Sequence, residues 1–178
     1  MAQPAVLTPF YDGWTKYHAK LLDAIRPLTD EQLRLRPAPH QWAIWQLASH
    51  MAGCRPYWFG IVLGEPGARR LRDMFRVEET KVPDLPLEFA GWEDNENRPR
   101  TATELVDALG RTWAMMDASL QRWGPDELDV EFSRKRMNGE TQTFTRGWVI
   151  YHLMEHDLHH GGEISNILGS HGLPALDF

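Results

Sequence analysis

The sequence contains one cysteine, Cys54, so it cannot form a disulfide within the chain. It has no apolar run close to the roughly 18 residues of a membrane-spanning helix. Its N-terminal region shows no charged segment followed by an apolar one, as a secretory signal would. Basic residues are in deficit, with 19 Lys and Arg against 25 Asp and Glu, and phosphate binding depends on clustered positive charge. These absences predict a cytoplasmic protein with neither a membrane nor a nucleic-acid partner.

The composition is that of a folded globular protein. Hydrophobic residues make up 42% of the 178 positions and charged residues 25%, values that exclude low complexity and extensive disorder. No fixed-period repeat and no linker rich in Gly, Ser or Pro divides the chain. We therefore expect a single domain over residues 1–178, long enough to bury a substantial core.

Apolar residues recur at spacings of three and four along four long stretches, which predicts four long helices. The first begins at the Thr8-Pro9 cap and ends near Arg26-Pro27. The second runs from near His40 to Gly64. The third follows a capping box at Thr101–Glu104, and the fourth follows Thr145 and ends at Gly169 or Gly172. The sequence predicts an all-α four-helix bundle.

The connections between these helices differ in length. A capping box at Thr29–Gln32 predicts a short helical turn after the first helix. A long crossover over residues 68–100 joins the second and third helices, with a short helix around Leu71–Phe75 and then several prolines. Before the last helix, Asn138-Gly139 between polar flanks predicts a small hairpin or extended loop.

The fourth helix holds a cluster of histidines. His152, His156 and His160 lie at positions i, i+4 and i+8, so their side chains share one stripe of the helix, while His159 points at a different angle. Two imidazoles one turn apart can bind one cation. The spacing does not decide between the pair His152/His156 and the pair His156/His160.

A catalytic zinc usually takes three protein ligands and keeps one position for water, so a third ligand must come from another helix. His50 lies in the middle of the apolar second helix, between Ser49 and Met51, where an imidazole without a partner would be costly. The alternative is a core histidine that hydrogen-bonds a carbonyl or a carboxylate. Together with the i, i+4 pair, His50 indicates a metal site.

Trp42-x7-His50 on the second helix and His156-Asp-Leu-His-His160-Gly-Gly-Glu163 on the fourth resemble the DinB-like family of metal-binding four-helix bundles. The resemblance covers most of the chain, including the Leu33–Pro37 turn. The sequence departs from the family pattern at Gly161, where arginine is common, and at Glu163, where glutamine is common. The resemblance implies the ligand set His50, His156 and His160, with His152 only a neighbour.

The resemblance also implies a function. Members of the family bind zinc or nickel, some resemble transferases that use low-molecular-weight thiols, and the bundles form homodimers. We therefore expect a metal-dependent enzyme of the thiol-S-transferase or hydrolase type, with an open coordination position, a small-molecule substrate and a thiol as cosubstrate. The alternative is a non-catalytic metal-binding or stress-response module whose metal is structural or sensory.

Several other side chains near the histidines have more than one interpretation. Glu163 is the candidate catalytic residue, either orienting a histidine ligand or acting as a general base. Glu155 and Asp157 flank His156, and we interpret both as solvated charges. Cys54, one turn after His50, is either a fourth ligand, a reactive thiol or, as we prefer for a lone cysteine, a small buried core residue.

Overall fold

The computed structural model describes residues 8–80, 90–95, 97–136 and 138–176 of a mostly helical protein. Its long helices are α1 (Thr8–Ile25), α3 (Ile44–Pro56), α5 (Ala102–Leu120) and α7 (Arg146–Ser170). The shorter elements are α2 (Asp30–Leu33), a π-helical turn (Tyr57–Val62), α4 (Pro66–Asp73), a 3-10 turn (Trp92–Asp94), α6 (Pro125–Leu128), β1 (Glu131–Lys135) and β2 (Thr141–Thr145).

The predicted capping signals lie where the helices begin. Thr29 accepts a hydrogen bond from the Gln32 backbone N–H at the start of α2, and Thr101 accepts one from Glu104 at the start of α5. Thr145 does the same for Trp148 at the start of α7. The sequence signals therefore located these starts correctly. Two prolines of the predicted crossover, Pro83 and Pro86, lie outside the described residues.

The second predicted helix begins later than expected, at Ile44 and not near His40. Ala43 is the extended N-cap residue, and its backbone N–H donates to the Gln46 side chain at 2.8 Å. Further along, Pro56 has no N–H to donate and its ring crowds the preceding turn. The chain continues after it as the π-helical turn up to Val62.

The core lies where the long helices meet. α3 packs against α5 and α7, and α1 packs against the same two helices. Two clusters of buried apolar side chains fill the space between them. The first includes Leu21, Ile44, Met51, Leu109 and Ile164, and the second includes Trp14, Phe59, Met116, Val149 and Leu153.

A buried ion pair crosses this core. Arg55 of α3 donates to Asp157 of α7 at 2.8 Å, and the two side chains are 0% and 1% exposed. Trp14 of α1 donates its indole N–H to the same carboxylate oxygen at 2.8 Å. Arg55 also donates to the Leu109 carbonyl of α5 at 3.0 Å. One charged pair thus connects four helices.

This finding corrects the interpretation of Asp157 as a solvated charge. Asp157 is turned inward because its helical neighbours Leu153 and Ile164 are themselves core residues, and its charge is compensated by Arg55. Glu155, by contrast, is exposed. The two carboxylates that flank His156 therefore have opposite environments.

The predicted hairpin is present before α7. β1 and β2 pair antiparallel, with Glu131 opposite Thr145 and Lys135 opposite Thr141. Gly139 has a φ of +83°, a left-handed conformation that glycine adopts without strain. β1 lies against the π-helical turn and β2 against α7. None of the helices in the described ranges is long and apolar enough to cross a membrane.

We predict that Asp157→Asn lowers the free energy of unfolding by about 3–5 kcal/mol, because it leaves the buried Arg55 charge without a counter-ion. The matched control is Asp107→Asn, which removes an exposed carboxylate paired with Arg111 at 2.7 Å and should cost under about 0.5 kcal/mol. Urea unfolding followed by circular dichroism measures both. Equal losses for the two variants would contradict this role for the pair.

Candidate metal centre

Three imidazoles from two helices meet between α3 and α7. The ring centroids of His50 and His156 are 4.8 Å apart, those of His156 and His160 are 4.5 Å apart, and those of His50 and His160 are 5.1 Å apart. The i, i+4 spacing puts His156 and His160 on one stripe of α7, and the packing of α3 on α7 brings His50 opposite them. The structure thus brings together the three histidines of the expected ligand set.

The other two histidines of α7 have different surroundings. His152 is 6.0 Å from His156 between ring centroids, and its ring stacks on Trp148 at 4.9 Å and contacts the edge of Trp58. His159 contacts His160, but its side chain is 62% exposed. His156 and His160 are therefore the histidines of α7 whose rings lie nearest to His50.

His50 is oriented by a backbone carbonyl from the long crossover. Its Nδ1 lies 3.3 Å from the Glu93 carbonyl oxygen, a distance at which an Nδ1–H would donate to that oxygen and leave Nε2 with its lone pair for another partner. Burial, chiefly, and the nearby His160 lower the pKa of His50 to about 4. The imidazole is therefore neutral at neutral pH.

The Glu93 carbonyl is itself held in place by a second buried ion pair. The Glu93 carboxylate is 2.6 Å from two nitrogens of the buried Arg72 of α4. Gly53 makes this close approach feasible, since a Cβ there would lie 2.6 Å from the Glu93 backbone nitrogen. The sequence did not point to Glu93 and Arg72. A hydrogen bond from a histidine to a backbone carbonyl does not depend on which residue supplies that carbonyl, so the residue type gives no indication of it.

His156 is enclosed between the other two imidazoles. Burial lowers its pKa to about 2, with smaller contributions from the neighbouring His160 and His50. Both ring nitrogens are buried and have no hydrogen-bond partner in the part of the chain that the structure describes. Buried polar groups without partners are rare in folded proteins and call for an explanation such as a bound ion.

His160 is fixed by a carboxylate on its own helix. Its Nδ1 lies 2.7 Å from Oε2 of Glu163, one turn further along α7. If Nδ1–H donates to Glu163, Nε2 remains as an acceptor or ligand atom. Trp42 covers this side of the cluster, with its ring 4.9 Å from that of His50 and 6.2 Å from that of His160.

Cys54 lies inside the cluster as well as in the core. Its Sγ is 3.6 Å from Nε2 of His50, and the donor atoms of His50, Cys54 and His156 all lie within 4.8 Å of one another. A second set of donor atoms with the same spread comprises His159, His160 and Glu163. Burial raises the pKa of the Cys54 thiol well above its ordinary value. The preferred interpretation of Cys54 as a core residue describes its burial but omits its contact with His50.

An aromatic wall continues from the histidines toward the hairpin. The ring of Trp148 stacks on both His152 and Phe144. Trp58 makes an edge-type contact with each of these three rings. Arg134 of β1 lies over the Trp58 ring at 4.5 Å and donates to the Tyr57 hydroxyl at 3.2 Å. This wall is the apolar surface next to His156.

These residues fit a divalent metal. Two imidazoles are held neutral by burial, and a metal binds the neutral form of histidine. Nitrogen donors with one sulfur nearby suit zinc, nickel or cobalt better than magnesium or calcium, which prefer oxygen. One of the two buried, unpaired ring nitrogens of His156 is the atom that such an ion would satisfy.

The fold and the cluster define a helical protein with a candidate metal centre between two long helices. The family model of the DinB superfamily matches residues 14–164. The chain therefore belongs to the DinB superfamily, as the resemblance in its motifs predicted.

Two solved structures have a similar fold. A DinB-like protein from Bacillus cereus ATCC 10987 aligns with a TM-score of 0.63 and 19% identity over 100% of this chain and 99% of that one. A conserved protein from Enterococcus faecalis aligns with a TM-score of 0.62 and 12% identity over 91% of this chain and 94% of that one. At these identities the likeness concerns the fold. A comparison with curated proteins finds no match.

We predict that the metal-free protein loses stability as the pH falls from about 6.5 toward 4. Unfolded histidine has a pKa near 6.5 and takes up a proton in this range, whereas the folded-state pKa is about 4 for His50 and about 2 for His156. Each such histidine should lower the free energy of unfolding by about 2 kcal/mol between pH 7 and pH 5.

Urea unfolding of the chelator-treated protein at both pH values measures this effect. His156→Gln removes one of the titrating groups, so its loss between pH 7 and pH 5 should be smaller than that of the wild type by about 1–2 kcal/mol. The control is His171→Gln, at an exposed position after α7. The same loss in His156→Gln as in the wild type would contradict the prediction.

Proposed function

We propose that this protein binds one divalent metal ion, zinc or nickel, through His50, His156 and His160, and that it is a metal-dependent enzyme of the thiol-S-transferase or hydrolase type. The observation that carries the proposal is the enclosure of His156 between two other imidazoles, with both of its ring nitrogens buried and without a partner among the described residues. A bound ion supplies the missing partner.

Two of the three ligands have an orienting partner in this proposal. His50 presents Nε2 because its Nδ1 faces the Glu93 carbonyl, and His160 presents Nε2 because its Nδ1 faces Glu163. A histidine ligand usually donates its other ring N–H to a carbonyl or carboxylate in this way. Three protein ligands leave a coordination position for a small molecule.

The chemistry would follow from that open position. A divalent ion there lowers the pKa of a bound water or thiol, so that a nucleophile is present at neutral pH. The protein contributes the orientation of the ligands and the partly exposed rings of Trp148 and His152, which offer a surface to a substrate or a low-molecular-weight thiol. Trp42 shields the opposite side of the cluster.

Glu163 is a positioning residue in this proposal. Its hydrogen bond to His160 uses Oε2, while Oε1 lies 3.8 Å from Nε2 of His159. A carboxylate engaged in this way orients a ligand more readily than it abstracts a proton from a substrate. The alternative task, general base, needs Glu163 to release His160 first.

A second candidate function is a metal-binding module without turnover, with a structural or sensory metal. The same engagement of Glu163 favours it, since the described residues provide no other carboxylate in contact with the three imidazoles. Chelation distinguishes the two functions, because a structural metal contributes folding free energy and its removal unfolds the domain. An enzyme would keep its fold with an emptied site.

The arrangement of the four long helices is part of the same proposal. We interpret α1, α3, α5 and α7 as a four-helix bundle with a long crossover between the second and third helices. The homodimer, the cytoplasmic location, the single domain and the absence of nucleic-acid and membrane partners stay predictions from the sequence.

The metal content of the purified protein tests the proposal. We expect near-stoichiometric zinc or nickel in tag-free protein prepared without chelators, measured by plasma mass spectrometry. His50→Ala, His156→Ala and His160→Ala should each lose most of the metal, whereas His152→Ala should retain it because His152 lies outside the group. Traces of metal in the wild type, even after soaking in zinc and nickel, would refute the proposal.

The task of Glu163 gives a separate prediction. Glu163→Gln removes the charge that orients His160 and should weaken zinc binding roughly tenfold, within the range seen for residues that support a metal ligand. Glu155→Gln is the matched control, because Glu155 lies 3.8 Å from His152 on the same helix. Competition with a chromophoric chelator measures both affinities. Equal affinities for the two variants would show that Glu163 does not support the metal.

A further inference from the structure

The thiol of Cys54 lies beside the group of three imidazoles. His50 and Cys54 are one turn apart on α3 and share a face of that helix. Sγ of Cys54 is 3.6 Å from Nε2 of His50, which is the nitrogen that remains when Nδ1 faces the Glu93 carbonyl. Sγ is also 3.9 Å from Nδ1, so the sulfur lies beside the His50 ring and is slightly nearer to Nε2.

A second observation points to the same place independently of the cysteine. The two ring nitrogens of His156 are buried and unpaired in the described part of the chain. Cys54 lies close to them, since the donor atoms of His50, Cys54 and His156 are within 4.8 Å of one another. A core thiol placed only for its volume needs no such neighbours. Two imidazoles and a thiol at this spacing are ligand types that zinc, nickel and cobalt accept together.

We propose that Cys54 is a protein ligand of the metal held by His50 and His156, which adds a thiolate to the histidine site. This inference rests on the proposed metal-binding function. On binding, the S–H bond of Cys54 breaks, a metal–sulfur bond forms, and the proton leaves to solvent. No oxidant or reductant takes part.

The thiolate ligand has consequences for the metal and its chemistry. Sulfur excludes magnesium and calcium from the site and favours zinc, nickel and cobalt. Three histidines and one thiolate would fill the four positions of a tetrahedral zinc site. A substrate would then bind either at a fifth position or in place of Cys54, so the thiolate governs access to the metal.

Cobalt(II) spectroscopy tests the inference. Chelator-treated protein is titrated with cobalt(II) under anaerobic conditions, and the visible d–d bands report binding while a near-ultraviolet charge-transfer band reports a cobalt–thiolate bond. Because the chain has one cysteine, such a band in the intact protein can arise only from Cys54. We expect both sets of bands in the wild type and in His152→Ala.

Cys54→Ser should lose the charge-transfer band, keep the d–d bands and bind cobalt at least tenfold more weakly. Visible d–d bands without a charge-transfer band in the wild type would overturn the role of Cys54 and leave the histidine site standing. The absence of any cobalt binding would overturn both proposals. If Cys54→Ser does not fold, the wild-type spectrum alone decides the question.

Discussion

The ion pair between Arg55 and Asp157 sets the arrangement on which the candidate centre depends. Each of the two residues is adjacent in sequence to a residue of the candidate centre. Arg55 follows Cys54, and Asp157 follows His156. Neighbouring residues on a helix point about 100° apart, so turning the charged pair toward α1 and α5 turns Cys54 and His156 toward each other. A buried pair of this kind adds little stability compared with apolar packing. Its contribution is to fix the rotation of α3 and α7 about their axes.

Electrostatics within the cluster favour a shared cation over individual protons. His50 and His156 lie where burial and the neighbouring rings oppose protonation, and this lowers the pKa of both. A proton can satisfy only one nitrogen, and it would leave the other rings facing a like charge. In the proposed metal form, one ion accepts lone pairs from all of the rings together. The burial that disfavours protonation of these imidazoles therefore favours the binding of a metal ion.

Much of the fold and part of the site could be predicted from the sequence, because helical periodicity, capping residues and the spacing of His156 and His160 are local signals. The residues that were missed depend on partners distant in sequence. Glu93 acts on His50 through its backbone, so its side chain carried no information about that contact. Asp157 was misjudged because its partner is 102 positions away, although an arginine inside the apolar stretch before Pro56 was a usable signal. The late start of α3 depends on Gln46, a helix-capping residue that the apolar pattern does not reveal.

The contact between Gly161 and Tyr17 bears on how this chain can change over evolution. A Cβ at position 161 would lie 2.8 Å from Cζ and 3.0 Å from Cε1 of the Tyr17 ring, whose hydroxyl donates to the Leu158 carbonyl. The aromatic ring thus fills the volume that a side chain on α7 would need. A side chain at position 161 would have to displace the Tyr17 ring, so the residues that fit at positions 17 and 161 depend on each other.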